Sequence, residues 1–185
     1  MRIIAGSLKG RSISFSRHIR PTQDKVRQAV FNVLAPVIQG ARTLDLFAGS
    51  GAFGIESLSR GARGAWFIEK DRECKRIISS NLEKLWLSRA GSSDVRVYCH
   101  DVFRSLAILG RKGESFDIIF LDPPYHKELA KKTLQTLYAG GILAPHGFLV
   151  IEASKADDLG VWPKSYNPVR CMTYGDIQVV ILQKV

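Results

Sequence analysis

The chain has 185 residues, enough for one domain, and its 45% apolar and 24% charged residues are the balance of an ordinary globular protein. Three cysteines, Cys74, Cys99 and Cys171, form no C-x-x-C pair, which speaks against a disulfide framework or structural zinc and for a reducing, cytoplasmic setting. The opening Met1-Arg2-Ile3-Ile4-Ala5-Gly6 has no apolar leader core, and no run approaches the ~20 apolar residues of a membrane span.

The net charge of +10 is concentrated at one end. Residues 1–42 hold Arg2, Lys9, Arg11, Arg17, Arg20, Lys25, Arg27 and Arg42 against Asp24 alone, so they carry +7 of it. A basic segment ahead of a nearly neutral body suits a polyanion, nucleic-acid phosphate being the common choice. A surface that merely keeps the protein dissolved is the plainer alternative.

The basic segment contains two β-like runs, 2–5 and 12–15, around the turn residues Gly6-Ser7-Leu8-Lys9-Gly10, the pattern of a hairpin. A helix is expected after Pro21-Thr22 with Thr22 as its cap. Val26, Ala29, Val30, Val33 and Leu34 form one apolar stripe, and Pro36 and Gly40 end it. From Arg42 strands and helices alternate. Strand-like runs fall at 43–47, 65–69, 95–99, 117–121 and 148–152, with helical stretches at 51–60, 71–86, 102–109 and 127–138. Runs apolar on both faces predict a parallel sheet covered by helices on both sides. The runs 169–173 and 177–182 flank Tyr174-Gly175-Asp176 too closely for a crossover helix, so they should form an antiparallel hairpin at the sheet edge.

Such sheets bind ligands at the carboxyl ends of their strands. There the first strand runs into Asp45-Leu46-Phe47-Ala48-Gly49-Ser50-Gly51-Ala52-Phe53-Gly54, a G-x-G-x-x-G loop in the strand-to-helix context that dinucleotide and S-adenosylmethionine sites share. Glu69 ends the second strand 20 residues after Gly49, placed to accept from ribose hydroxyls. Asp45 separates the two ligands: its carboxylate would repel a pyrophosphate and attract the ammonium of a methionine moiety. As alternatives, Asp45 could cap a turn. Asp101, after the third strand, could hydrogen-bond an adenine amine or cap the following helix.

The fourth strand leads into Asp122-Pro123-Pro124-Tyr125. Two prolines make a stiff turn whose carbonyls only accept, Asp122 adds an acceptor, and Tyr125 offers a flat ring. A planar base with an exocyclic amine needs two acceptors for its protons and a surface to stack on. A rigid loop without chemistry is the alternative. The histidines His18, His100, His126 and His146 have no metal-ligand spacing.

These residues resemble the amino-methyltransferases that use S-adenosylmethionine. With Arg20-Pro21-Thr22, Val26-Arg27, Phe31-Asn32-Val33-Leu34, Gly54-Ile55-Glu56, Ser59-Arg60-Gly61-Ala62, Asn81-Leu82 and Tyr174-Gly175-Asp176, the chain resembles the RsmD-like 16S ribosomal RNA guanine-N2 methyltransferase family. Phe53 departs from the smaller aliphatic residue expected there, a change of packing rather than chemistry. The resemblance implies one domain, 1–185, with a basic extension at 1–40 and a Rossmann-like core at 41–185. It would be built on a seven-stranded, mostly parallel sheet with an antiparallel carboxyl-terminal hairpin.

The same resemblance implies S-adenosyl-L-methionine as donor, S-adenosyl-L-homocysteine as product and no metal. Small-subunit ribosomal RNA would be the substrate of a cytoplasmic monomer. Donor contacts are expected from Arg20, Thr22, Asp45, Phe47, Ala48, Gly49, Gly51, Glu69, Lys70, Asp101, Val102 and Asp122. Asp122, Pro123, Pro124 and Tyr125 would hold the flipped base for in-line transfer. Arg2, Lys9, Arg11, Arg17, Lys25 and Arg27 would contact phosphate. A DNA adenine-N6 methyltransferase shares Asp-Pro-Pro-Tyr, but the length leaves little room for a sequence-reading domain. A nicotinamide dehydrogenase or a non-enzymatic RNA-binding module fits less of the chain.

Overall fold

Five strands alternate with helices and two more close the sheet. In the computed structural model, residues 1–16, 23–85, 94–124 and 128–185 are described. They form α1 (Asp24–Leu34), β1 (Arg42–Leu46), α2 (Ala52–Ser59), β2 (Gly64–Glu69), α3 (Arg72–Lys84), β3 (Asp94–Cys99), α4 (Val102–Arg111), β4 (Phe116–Leu121), α5 (Leu129–Gly140), β5 (Leu143–Ser154), β6 (Tyr166–Tyr174) and β7 (Ile177–Lys184). The sheet order is β3-β2-β1-β4-β5-β7-β6, with β1 to β5 parallel and β7 antiparallel to both β5 and β6. The strand order reverses between β1 and β4, which pair through Leu46 and Leu121, so the crevice lies at their carboxyl ends.

Alternation along each strand divides the core. Leu44, Leu46, Trp66, Ile68, Ile119 and Leu121 face α4 and α5. Ile118, Phe120, Val150 and Val179 meet α1, while Ala65 and Phe67 meet α2 and α3. Phe53 stacks on Phe120 at 4.9 Å and lies 6.2 Å from Phe31, so the larger ring fills the junction of α1, α2 and β4.

Several boundaries differ from those expected. β5 begins at Leu143, ahead of the turn residues Pro145-His146-Gly147, because Leu143 already pairs with Phe116. A register shift and a left-handed His146 (φ 60) absorb the irregularity. β6 tolerates Pro168 because it is the edge strand and shifts register there.

The amino-terminal hairpin is reduced to one bridge, Arg2 with Ser12. The amides of Ile4 and Ala5 instead donate to Glu56 of α2 (2.8 and 3.0 Å), and Ser14 donates to Asn81 of α3 (2.8 Å). Helix side chains therefore satisfy backbone groups that a longer ladder would have used. Gln23 occupies the cap position of α1; Thr22, expected there, lies outside the described residues, as do Lys127 and Trp86 at the ends of two expected helices.

Candidate active site

The loop after β1 is built from residues in a backbone region few side chains tolerate. Phe47, Gly49 and Gly51 have φ values of 57, 54 and 77. Gly54 answers to packing instead: a Cβ there would collide with the Phe67 ring, so glycine lets α2 lie on β2. Ala48 is buried beside this loop, and Phe47, half-buried, packs on the opposite core layer.

Two carboxyl groups hold the loop. Glu69, 8% exposed, accepts from the amides of Gly49 (2.9 Å) and Asp71 (2.8 Å). Asp45, 2% exposed, accepts from Gly54 (3.0 Å). Burial pushes the Asp45 carboxyl up to about 8, and the nearby Glu69 charge adds to the rise against the opposing Gly54 hydrogen bond. Neither acid has an ion-pair partner among the described residues. Asp45 therefore ionises less readily than the ordinary carboxylate expected from sequence. Burial makes its charged form costly, a cost that a cationic group beside it would offset.

Further round the crevice, Asp101 caps α4 by accepting from Arg104 (3.1 Å) and remains exposed. The capping role is thus observed. Lys70 is exposed and Val102 is buried at the start of α4. Asp122 follows β4 half-buried, Pro123 is buried and Pro124 exposed. Their position next to Leu121 places them across from Phe47, which follows Leu46. Asp45, Glu69, the glycine loop and Asp122-Pro123 therefore share one end of the sheet. Arg17, Arg20, Thr22 and Tyr125 lie outside the described residues.

The basic residues divide. Arg2, Lys9, Arg11 and Lys25 are exposed, Arg11 also donating to the Lys84 carbonyl at the end of α3 (3.1 Å). Arg27 is a correction: its side chain is 1% exposed, donates to the Arg2 carbonyl (2.6 Å) and Asp24 (3.0 Å), and touches the Met1 sulfur. A phosphate cannot reach it. It pins the start of the chain to α1.

Two residues with structural roles at this end were present in the sequence without an assigned task. Glu56 and Asn81, each 1% exposed, serve the arm's backbone. A signal existed, since Asn81 sits on the same buried stripe of α3 as Cys74, Ile78 and Leu82.

The family model described as "Conserved hypothetical protein 95" matches residues 1–183. The chain belongs to that family. It is 38% identical over 186 residues to YlbH of Bacillus subtilis (strain 168), covering all of this chain and 99% of that one. It is 37% identical over 186 residues to the ribosomal RNA small subunit methyltransferase D of Escherichia coli (strain K12), covering all of this chain and 90% of that one. The solved structure of yhhF from Escherichia coli has a TM-score of 0.86 at 36% identity and covers 100% of this chain and 97% of its own.

Proposed function

We propose that this protein is an S-adenosylmethionine-dependent methyltransferase that modifies the exocyclic N2 amine of a guanine in small-subunit ribosomal RNA. The name carried by its Escherichia coli relative, matched along the whole chain, supports the reaction and the RNA class. The resemblance of its motifs supports guanine N2. The observation that carries the proposal is the meeting of two acids without an ion pair among the described residues, Asp45 and Glu69, with Asp122-Pro123 at the switch point of the sheet.

The residues fit the donor. Two buried carboxyl groups with no ion-pair partner among the described residues suit a ligand with an ammonium and a sulfonium, and would oppose a pyrophosphate. Asp45 would hold the ammonium end, Glu69 the ribose hydroxyls and Asp101 with Val102 the adenine, while the Phe47–Gly51 loop lets backbone approach closely. When bound, the donor supplies an electrophilic methyl group on sulfur. Asp122 and the Pro123 carbonyl would accept the two amine protons, turning the nitrogen lone pair out of conjugation and towards that methyl. Asp122 or water would take the proton that the amine gives up as its lone pair is used. Tyr125 would stack on the flipped guanine, with Arg20 and Thr22 beside the donor. Alignment supplies most of the acceleration.

On this reading residues 1–185 act as one catalytic unit, a cytoplasmic monomer working on RNA of the small subunit. Arg2, Lys9, Arg11, Arg17 and Lys25 contact phosphate. The test offers a tritiated-methyl donor with naked 16S ribosomal RNA, with small subunits and with DNA. Label in RNA on guanine N2 is expected; label in DNA alone would overturn the proposal.

A further inference from the structure

The strand-like segment 11–16 runs along α3 from its last turn to its first. Arg11 donates to the carbonyl of Lys84 (3.1 Å), Ser14 pairs with Asn81, and Ser16 donates to Glu73 (3.2 Å). It therefore spans the length of the helix, and Ser14 lies where α3 meets the glycine loop. Asn81 is the junction. Its oxygen accepts from the Ser14 amide (2.8 Å), and its side-chain amide donates to both the Ser14 carbonyl (2.9 Å) and the Ser50 carbonyl (3.2 Å). Ser50 lies between Gly49 and Gly51, the two left-handed glycines of the loop. One buried side chain thus holds the basic arm and the strained loop together.

We infer that Asn81 is a positioning residue through which RNA held on the basic arm strengthens donor binding at the glycine loop. The inference rests on the methyltransferase reading above. An arm fixed by phosphate contacts restrains Ser14, and Asn81 transmits that restraint to the Ser50 peptide, so the loop loses less freedom when the donor binds. The coupling is reciprocal: the donor must strengthen RNA binding by the same factor.

Calorimetric titration of S-adenosylhomocysteine, with and without a saturating 16S ribosomal RNA transcript, reads the coupling as a ratio of dissociation constants. Full-length wild-type protein is expected to give a ratio of at least ~5. Asn81→Ala should bring it close to one. Ser14→Pro, which removes the donor from the arm's side and leaves α3 intact, should do the same. Thermal melts establish that each variant is folded, and a purely structural role for Asn81 would lower the melting temperature while leaving the ratio unchanged. A ratio of one in wild-type protein that binds both ligands overturns the inference alone. So does a wild-type ratio that persists in either folded variant. Wild-type protein that binds RNA but no S-adenosylhomocysteine overturns the methyltransferase reading, and this inference with it.

Discussion

The Gly54 amide donates to Oδ2 of Asp45 at 3.0 Å, tying the end of β1 to the first turn of α2 beneath the glycine loop. This hydrogen bond works against the burial that raises Asp45 to about 8. A carboxyl held so high is sensitive to pH in a range where most acids are not.

Donor affinity should therefore rise with pH towards about 8 and then level, because an ammonium bound at Asp45 favours the anion and releases a proton. Asp45→Asn should weaken the donor by roughly 1–3 kcal/mol and remove this dependence. Calorimetry in buffers of different ionisation enthalpy checks both. The same group has a stability signature in the free protein. The folded state keeps a proton that the unfolded chain has lost, so the contribution present below about 4 declines as pH rises and is gone above about 8. Urea unfolding of wild type against Asp45→Asn across that window measures it.

Gly54→Ala would drive a methyl into the edge of the Phe67 ring, with Cζ at 2.5 Å. The expected loss is about 1–3 kcal/mol, read from the urea midpoint. Phe67→Leu in the same chain should restore part of it, since the clash and not the helix propensity is the cause.

At Asp122-Pro123-Pro124-Tyr125, single-turnover rates should separate acceptor from platform. Asp122→Ala should lower the rate by at least ~100-fold, the scale of one preorganised transition-state hydrogen bond. Tyr125→Ala should cost about 1–3 kcal/mol of base stacking, and Tyr125→Phe should remain near wild type. A Tyr125→Phe variant as slow as Asp122→Ala would assign chemistry to the hydroxyl.

The arm offers a contrast between exposed and buried arginines. Charge-neutral substitutions at Lys9, Arg17 and Lys25 should each flatten the slope of log K for RNA against log salt, by about 0.7–0.9 for every phosphate no longer neutralised. Arg27→Gln should leave that slope unchanged. It should instead lower stability by about 1–3 kcal/mol, because the Arg2 carbonyl loses its buried donor.

Much of the site was legible in sequence because its signals are local. The left-handed turns at Gly49 and Gly51 require glycine, the stiffness of Asp122-Pro123-Pro124 is covalent, and the 20-residue interval to Glu69 reflects one strand-helix-strand unit. The charge on Asp45 was not legible. A carboxylate beside a loop reads as an ordinary anion until its 2% exposure is known, and burial raises the cost of that charge.

By itself the sequence determined the alternation of strands and helices, the antiparallel end around Tyr174-Gly175-Asp176 and the residues gathered at the carboxyl edge. Periodicity, turn chemistry and chain length act over a few residues, and each is written where it acts. Tertiary structure alone decided that Arg27 is buried, that runs 2–5 and 12–15 share only one bridge, and that Asn81 joins the arm to the glycine loop. Their backbone partners explain why: Ile4 bonds to Glu56, 52 residues away, and Ser14 to Asn81, 67 residues away. A polar side chain on a buried helical stripe must find a partner, but packing chooses which distant segment supplies it.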